Sequence, residues 1–292
     1  MDLALLKTFT TVVEEGSFSR AADKLARTQP AISLALKRLE IELGERLIDR
    51  SSKQLVLTDA GKVVRDYAQR FDNLGRELRN SLLELRDKRA GRLTIGANES
   101  TALYLLAHIE RYHGLYPGVK VEIRRSLSSR IPDAVAAGSL DLGAISYDPR
   151  NPALASSEIY NDSLTFVVSP KHRFAGRKQV NLTELGMETF IAHNVVSPYR
   201  ETVIDTFKRY EVPLNMEVEM PTIETIRKLV QMNMGVAFLP KMCVVEEIQA
   251  GTLMEVAVKE IHVERKIRLV FPAKRQTSHA AQAFLDLVHQ NH

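Results

Sequence analysis

Between Thr58 and Lys88 apolar residues recur at spacings of three and four: Val64, Tyr67, Phe71, Leu74, Leu78, Leu82 and Leu85. The positions between them are dense in Arg, Asp and Glu. This pattern predicts one long helix with Thr58 as its N-cap and a single narrow apolar seam. A helix lying on its own domain usually carries a wider stripe, whereas a seam this narrow suits a two-stranded coiled coil. Two readings stand: the helix packs within its own domain, or it pairs with a second copy. A lone helix of this length between domains would leave the seam in water, which favours self-association. The chain, at 292 residues, is also too long for one ordinary core, so the helix separates domains on either side.

On its N-terminal side, Leu3, Leu6, Phe9, Val12 and Val13 form one face of a first helix, broken at Gly16-Ser17. Ser17 or Ser19 can cap a second helix, Arg20–Leu25, whose Ala21 and Ala22 allow close packing. After Ala26-Arg27-Thr28 a third helix begins near Gln29-Pro30, with Thr28 as N-cap and Pro30 in the favoured first turn. Ile32, Leu36, Leu39 and Leu43 are its buried stripe, and Gly44 ends it. The segment LIDRSSKQLVLT reads as a small β-hairpin. Two helices across a tight turn followed by a hairpin outline a winged helix-turn-helix, whose second helix enters the major groove of DNA. Gln29, Ser33, Lys37 and Arg38 lie on its outer side, and Arg50, Ser52 and Lys53 lie in the hairpin. Gln and Ser can hydrogen-bond base edges, and Lys and Arg can neutralise phosphates. Exposed charges on a small helical cluster are also what an ordinary solvated surface carries, so patterning alone leaves DNA binding open. The charge balance adds little: residues 1–90 hold 17 Lys and Arg against 14 Asp and Glu, three of the chain's four net positive charges.

Beyond Gly91 short strands alternate with helices: RLTIGAN, then a helix to a Gly/Pro stop, VKVEIRR, a helix near Pro132, and LDLGAIS. A second series follows, LTFVVSP, a short helix and strand, a helix capped by Ser197, a strand at Met216–Met220, a helix from Thr222, GVAFLP, KIRLVFP and a last helix. Alternation of this kind predicts parallel sheets with crossover helices, in two α/β units with a cleft. Ligands of open α/β sheets sit beyond the carboxyl ends of strands. The candidates there are Asn98, Ser100, Thr101, Ser128, Ser129 and Ser146, with His193, Asn194, Ser197 and Thr222 from the second unit. Hydroxyls and free N–H groups at helix starts suit a small anion, although a Ser or Thr there also serves simply as a cap. A lone His such as His193 is more often structural than a ligand contact.

Several classes are excluded or disfavoured. With Cys243 alone, no disulfide forms within the chain and no cysteine-rich zinc site exists; this thiol reads as a buried small residue. No apolar run spans a membrane, and the first residues lack the pattern of a signal peptide, so the cytoplasm is expected. No phosphate-binding loop, nucleophile elbow or two-histidine zinc helix is present, and His108 and His113 have the wrong spacing for the last, so no catalysis, cofactor or metal is expected. A solute-binding protein would fit the second half but not the first 90 residues.

The chain resembles the LysR-type transcriptional regulators along its whole length. The resemblance rests on Gly16-Ser17-Phe18, Ala21-Ala22, Leu25, Gln29-Pro30-Ala31-Ile32-Ser33, Leu39-Glu40, Leu43-Gly44, Leu47, Arg50 and Leu57-Thr58-Asp59-Ala60-Gly61. GSLDLGAI, VVSPKHRF and MGVAFLP further along belong to it. Thr28 stands where Ser is usual and Asp49 where Glu is common, each keeping the local chemistry. The resemblance implies a multidomain protein: a winged helix-turn-helix (1–58), a dimerising linker helix (59–89) and a two-lobed, periplasmic-binding-protein-like effector domain (90–292). Its second lobe would be inserted at 163–266, between 90–162 and 267–292. Operator DNA with inverted half-sites would be bound through Thr28, Gln29, Pro30, Ser33, Lys37, Arg38, Arg50, Ser52 and Lys53. Tyr67, Phe71, Leu74, Leu78, Leu82 and Leu85 would make the dimer, from which tetramers assemble. Ser100, Thr101, Ser129 and Thr222 are the preferred contacts for a small, anionic effector. RNA polymerase is a further partner if the regulator activates, and a regulator that works by oligomerisation without any effector is the alternative.

Overall fold

The structure is a computed structural model and describes residues 2–49, 55–86, 90–195, 197–275 and 277–290. Its chain divides into two compact units, the first comprising residues 1–86 with 137–139 and the second the remainder.

The first unit opens with α1 (Leu3–Glu15), α2 (Phe18–Lys24) and α3 (Gln29–Leu43). Each begins on a side-chain cap: Asp2, Ser17 and Thr28 accept from the backbone N–H groups of Ala4, Arg20 and Ala31. Gly16 and Gly44 close α1 and α3 in the left-handed conformation. Two expectations shift here. Helix α2 starts at Phe18 because Ser17, not Ser19, supplies the cap, and Leu25 is its C-cap rather than its last turn. Leu3 is 59% exposed, since α1 has only just begun there and its side chain lies off the packed face. Leu6, Phe9, Val12, Ala21, Ala22, Ile32, Leu36 and Leu39 form the core with Leu47 and Ile48.

Strands β1 (Ile48–Asp49) and β2 (Val56–Leu57) pair antiparallel and lead into α4 (Asp59–Arg86). Thr58 ties this junction: its hydroxyl donates to the Arg46 carbonyl at 2.6 Å and accepts from the Gly61 N–H at 2.9 Å. The chain passes so close that a Cβ on Gly61 would sit 2.1 Å from the Leu47 carbonyl oxygen.

The second unit begins with β3 (Gly91–Ala97), α5 (Glu99–Leu115), β4 (Val119–Arg125), a 3-10 turn (Ser128–Arg130), α6 (Ile131–Ala136) and β5 (Leu142–Ile145). Strand β3 lies between β4 and β5, parallel to both, as the crossovers through α5 and α6 require. Then come β6 (Leu154–Val168), β7 (Gln179–Val180), β8 (Thr189–His193), α7 (Pro198–Arg209), β9 (Asn215–Met220), α8 (Ile223–Gln231), β10 (Ala237–Pro240), α9 (Val245–Gln249), β11 (Met254–Val258), β12 (Glu264–Pro272) and α10 (His279–His289).

These strands correct the expectation of two separate parallel sheets. One eight-stranded sheet runs β4-β3-β5-β12-β6-β11-β7, with β10 also on β6. Strands β6 and β12 pair antiparallel from Leu154↔Pro272 to Ser163↔Glu264, and β12 is antiparallel to β5 as well. The end of β6, from Leu164, pairs instead with β10 and β11. Strand β6 therefore starts ten residues before the apolar run LTFVV. Its first part, LASSEIYNDS, is too polar to announce a strand, and β12 supplies the pairing. Strands β7 and β11 and helix α9 likewise went unread in the sequence. The two largest packed centres hold Leu93, Ile95, Leu105, Tyr112, Ile159, Ile267 and Phe284 in one, and Phe166, Val168, Phe174, Phe190 and Phe207 in the other. Cys243 is buried as expected, and burial pushes its thiol up to about 12.

The close approach at Gly61 gives a direct test. Gly61→Ala should destabilise the first unit by about 1–3 kcal/mol, because the obstructing atom is backbone rather than a flexible side chain. Denaturant unfolding of the variant checks this; a wild-type midpoint would mean the contact relaxes freely.

Candidate functional site

Two surfaces gather the candidate residues. On the first, the turn Leu25–Thr28 sets α3 off from α2, with Ala26 at positive φ and the Arg27 N–H bonded to the Ala22 carbonyl. Ile32, Leu36 and Leu39 hold the inner side of α3 in the core. Thr28, Gln29, Pro30, Lys37 and Arg38 are therefore exposed, and Ser33 is half-buried. Gln29, Ser33 and Lys37 recur every four residues along one side of the helix. Arg50, Ser52 and Lys53 lie outside the described residues. Along α4, Tyr67, Phe71, Leu74, Leu78 and Leu82 are exposed, Leu78 by 60%; the side chain of Leu85 is outside the description.

The second surface is a cavity of about 860 Å³ within the second unit. Asn98, Ser100, Ser128, Ser129, Ser146, His193 and Ser197 line it, seven of the ten residues expected there. The local fold orients them. Asn98 caps α5, accepting from the Thr101 N–H at 2.9 Å, while its amide donates to the Ser128 hydroxyl at 2.8 Å. The Tyr147 hydroxyl donates to the Ser128 carbonyl at 2.9 Å; burial raises this phenol above its ordinary value, so it stays a neutral donor. The Ser197 hydroxyl caps α7 through the Arg200 N–H. His193 Nδ1 accepts from the Val195 N–H at 3.0 Å, which leaves the ring proton on Nε2.

Three expected residues are set apart from the cavity. The Thr101 side chain is wholly buried and donates to the Ala144 carbonyl, joining α5 to β5. The Thr222 hydroxyl is engaged as the N-cap of α8, within 2.9 Å of the Thr225 hydroxyl. Asn194 is exposed beyond β8, its N–H bonded to the Met220 carbonyl. Two of the four preferred contacts, Thr101 and Thr222, are thus occupied as local capping and packing groups.

The structure adds residues that no motif had marked. Arg265, on β12, is 3% exposed and pairs with Asp162 of β6 at 2.7 Å. It also donates to the Ser100 hydroxyl at 3.1 Å and stacks on the Tyr199 ring at 4.8 Å. Burial raises the Asp162 carboxyl above its ordinary value, opposed by Arg265 and by the Met242 N–H. Glu99 accepts from the Ile223 N–H at 2.9 Å, and the Tyr199 hydroxyl donates to the Ser146 carbonyl, so bonds cross the cavity from both walls. Arg125 reaches the Pro221 carbonyl at 3.4 Å. Glu99 stands between the candidates Asn98, the N-cap of α5, and Ser100, a placement that was the only local signal available. No sequence pattern pointed to Arg265.

Residues 3–62 match the family model of the bacterial regulatory helix-turn-helix proteins of the lysR family, and residues 86–292 match that of the LysR substrate binding domain. The chain is a LysR-type transcriptional regulator. This LysR-type regulator is 32% identical over 287 residues to the "Probable RuBisCO transcriptional regulator" of Cyanidioschyzon merolae, covering 96% of this chain and 94% of that protein. In fold it is similar to full-length CbnR complexed with its target DNA, with a TM-score of 0.75 at 20% identity over 100% of both chains. It is also similar to the regulatory domain of Synechocystis PCC6803 CcmR in complex with 2-PG, with a TM-score of 0.62 at 22% identity, over 68% of this chain and 96% of that one. No helix among the described residues is long and apolar enough to cross a membrane.

The buried pair between β6 and β12 is testable. Arg265→Ala removes the cation that offsets the burial of Asp162 and should cost the second unit about 3–5 kcal/mol. Calorimetric unfolding checks it, and a change under about 1 kcal/mol would show that water reaches the pair.

Proposed function

We propose that this regulator reads an operator through the exposed side of α3, as a dimer, and that a small molecule in the cavity of the second unit modulates it. The observation that carries the reading is that cavity, lined by strand-end hydroxyls and arginines and bridged by hydrogen bonds between its walls. A ligand touching both walls changes the relative stability of their arrangements, which is what a sensor requires. The CcmR regulatory domain in complex with 2-PG supports an acidic effector held in this fold.

The division of labour we propose is 1–58 for DNA, 59–89 for dimerisation, and 90–292 for sensing, with lobes 90–162 plus 267–292 and 163–266. Gln29 and Ser33 would read base edges, and Lys37 and Arg38 would meet phosphates, with Thr28 and Pro30 setting the helix start. Arg50, Ser52 and Lys53 would follow the backbone from the hairpin. Inverted half-sites match a twofold dimer, and two dimers give a tetramer. Asn98, Ser100, Ser128, Ser129, Ser146, His193 and Ser197 would face the effector. Such a protein acts by binding rather than catalysis, in the cytoplasm, with RNA polymerase as a further partner where it activates.

Gln29→Ala and Ser33→Ala should weaken the specific site more than random DNA, by about 1–3 kcal/mol at each base read. Equal losses on both DNAs would remove base reading from these residues. Lys37→Ala should weaken both DNAs alike and reduce the salt slope by about one, measured in the same titrations. Separately, Leu78→Glu puts a charge in the α4 seam and should shift the protein from dimer toward monomer in sedimentation. A variant that stays dimeric at the wild-type concentration would end the seam's role.

A further inference from the structure

Granted the cavity as the effector site, its two walls point to a narrower ligand than the small polar anion that strand-end serines suggest. One side of the cavity is apolar: Leu164, Phe190, Val203, Met216 and Phe238 line it, and all belong to or pack on the second lobe's core. The Phe190 and Phe238 rings lie parallel within 2°, their centroids 5.8 Å apart. A two- or three-carbon acid would touch the serines and leave this wall facing water, in a cavity of about 860 Å³.

The polar wall has three groups with bonding capacity in reserve. Arg125 has no carboxylate partner among the described residues. Arg265 Nε is buried without a hydrogen-bond partner in a side chain only 3% exposed, although the other guanidinium nitrogens are engaged. Glu99 Oε2 is also buried without a hydrogen-bond partner, while Oε1 takes the Ile223 N–H. His193 Nε2 stands 3.5 Å away, beyond good hydrogen-bond length. Arg125 calls for an anion, the Arg265 Nε–H for an acceptor, and the Glu99 oxygen for a donor. Arg125 and Glu99 both reach the segment Pro221–Ile223, so cation and acceptor stand side by side. An acid with a donor on the carbon beside its carboxylate presents an anion and a donor side by side in the same way.

We propose that the effector is an α-hydroxy or α-amino acid with an apolar, ring-bearing side chain. Its carboxylate meets Arg125 and the Arg265 edge, its α-substituent donates to Glu99, and its ring packs on the Phe190–Phe238 wall.

Isothermal titration of the full chain with phenyllactate, phenylalanine, 3-phenylpropanoate, lactate, alanine and 2-PG tests each element. Phenyllactate or phenylalanine should bind at least about tenfold tighter than 3-phenylpropanoate, and tighter again than lactate or alanine, at about fourfold per buried methylene-sized group. Preference for the hydroxyl over the ammonium, or the reverse, separates the two sources of the donor. Glu99→Gln keeps an acceptor for the Ile223 N–H and should erase any preference for the ammonium, with no loss of 3-phenylpropanoate affinity. Equal binding of the substituted and unsubstituted ring acids overturns the role of Glu99. Binding of 2-PG or lactate without the ring acids overturns the apolar body, and either result leaves the cavity as the effector site. Binding of none overturns the proposed class. Ring-acid affinity untouched by Arg125→Met would put the ligand elsewhere and end both readings.

Discussion

The ion pair between Arg265 and Asp162 holds the second unit to its purpose. Both side chains are almost wholly buried, and they come from β12 and β6, the two long strands that pair antiparallel and both feed the first packed centre. A charge taken out of water this far needs a close partner and further hydrogen bonds. Asp162 takes the Met242 N–H as well as Arg265, and Arg265 continues to the Ser100 hydroxyl and the Tyr199 ring, with its Nε left over for a further acceptor. An apolar pair would fill the same space without that network. The pair thus fixes where β6 crosses β12 and, through Ser100 and Tyr199, aims residues of both cavity walls.

Within the cavity, hydroxyls divide by what the fold has already asked of them. Thr101 and Thr222 are consumed as packing and capping groups. Ser197 caps a helix and still lines the cavity, and Ser129 remains exposed there. A helix N-terminus offers several N–H groups, and one side chain can satisfy only one or two of them. Capping and ligand contact are therefore separate questions at each position, and only the direction of the hydroxyl answers the second.

The DNA-reading unit follows a simpler logic. Side-chain caps start its first three helices, a threonine bound to two backbone groups starts the fourth, and a glycine admits the passing backbone at Leu47. The inner face formed by Ile32, Leu36 and Leu39 leaves the opposite side of α3 exposed, the side we propose for DNA recognition. Precision of this kind matters because base contacts depend on side chains held by an element that does not flex.

Sequence alone settled whatever rests on local periodicity and capping. The helix starts at Thr28, Ser197 and Thr222, the stripe Ile32–Leu36–Leu39, the long α4 with its unburied seam and the buried Cys243 were all legible there. In each case the deciding interactions span four residues or fewer, or follow from the apolar character of the segment. Tertiary structure decided the rest. The polar start of β6 becomes a strand only because β12 pairs with it, and Asp162 meets Arg265 across 103 residues. The inward turn of Thr101 depends on the Ala144 carbonyl, and the apolar wall of the cavity depends on how Phe190 and Phe238 stack. Each is a contact between segments distant in sequence, and no window along the chain contains both partners.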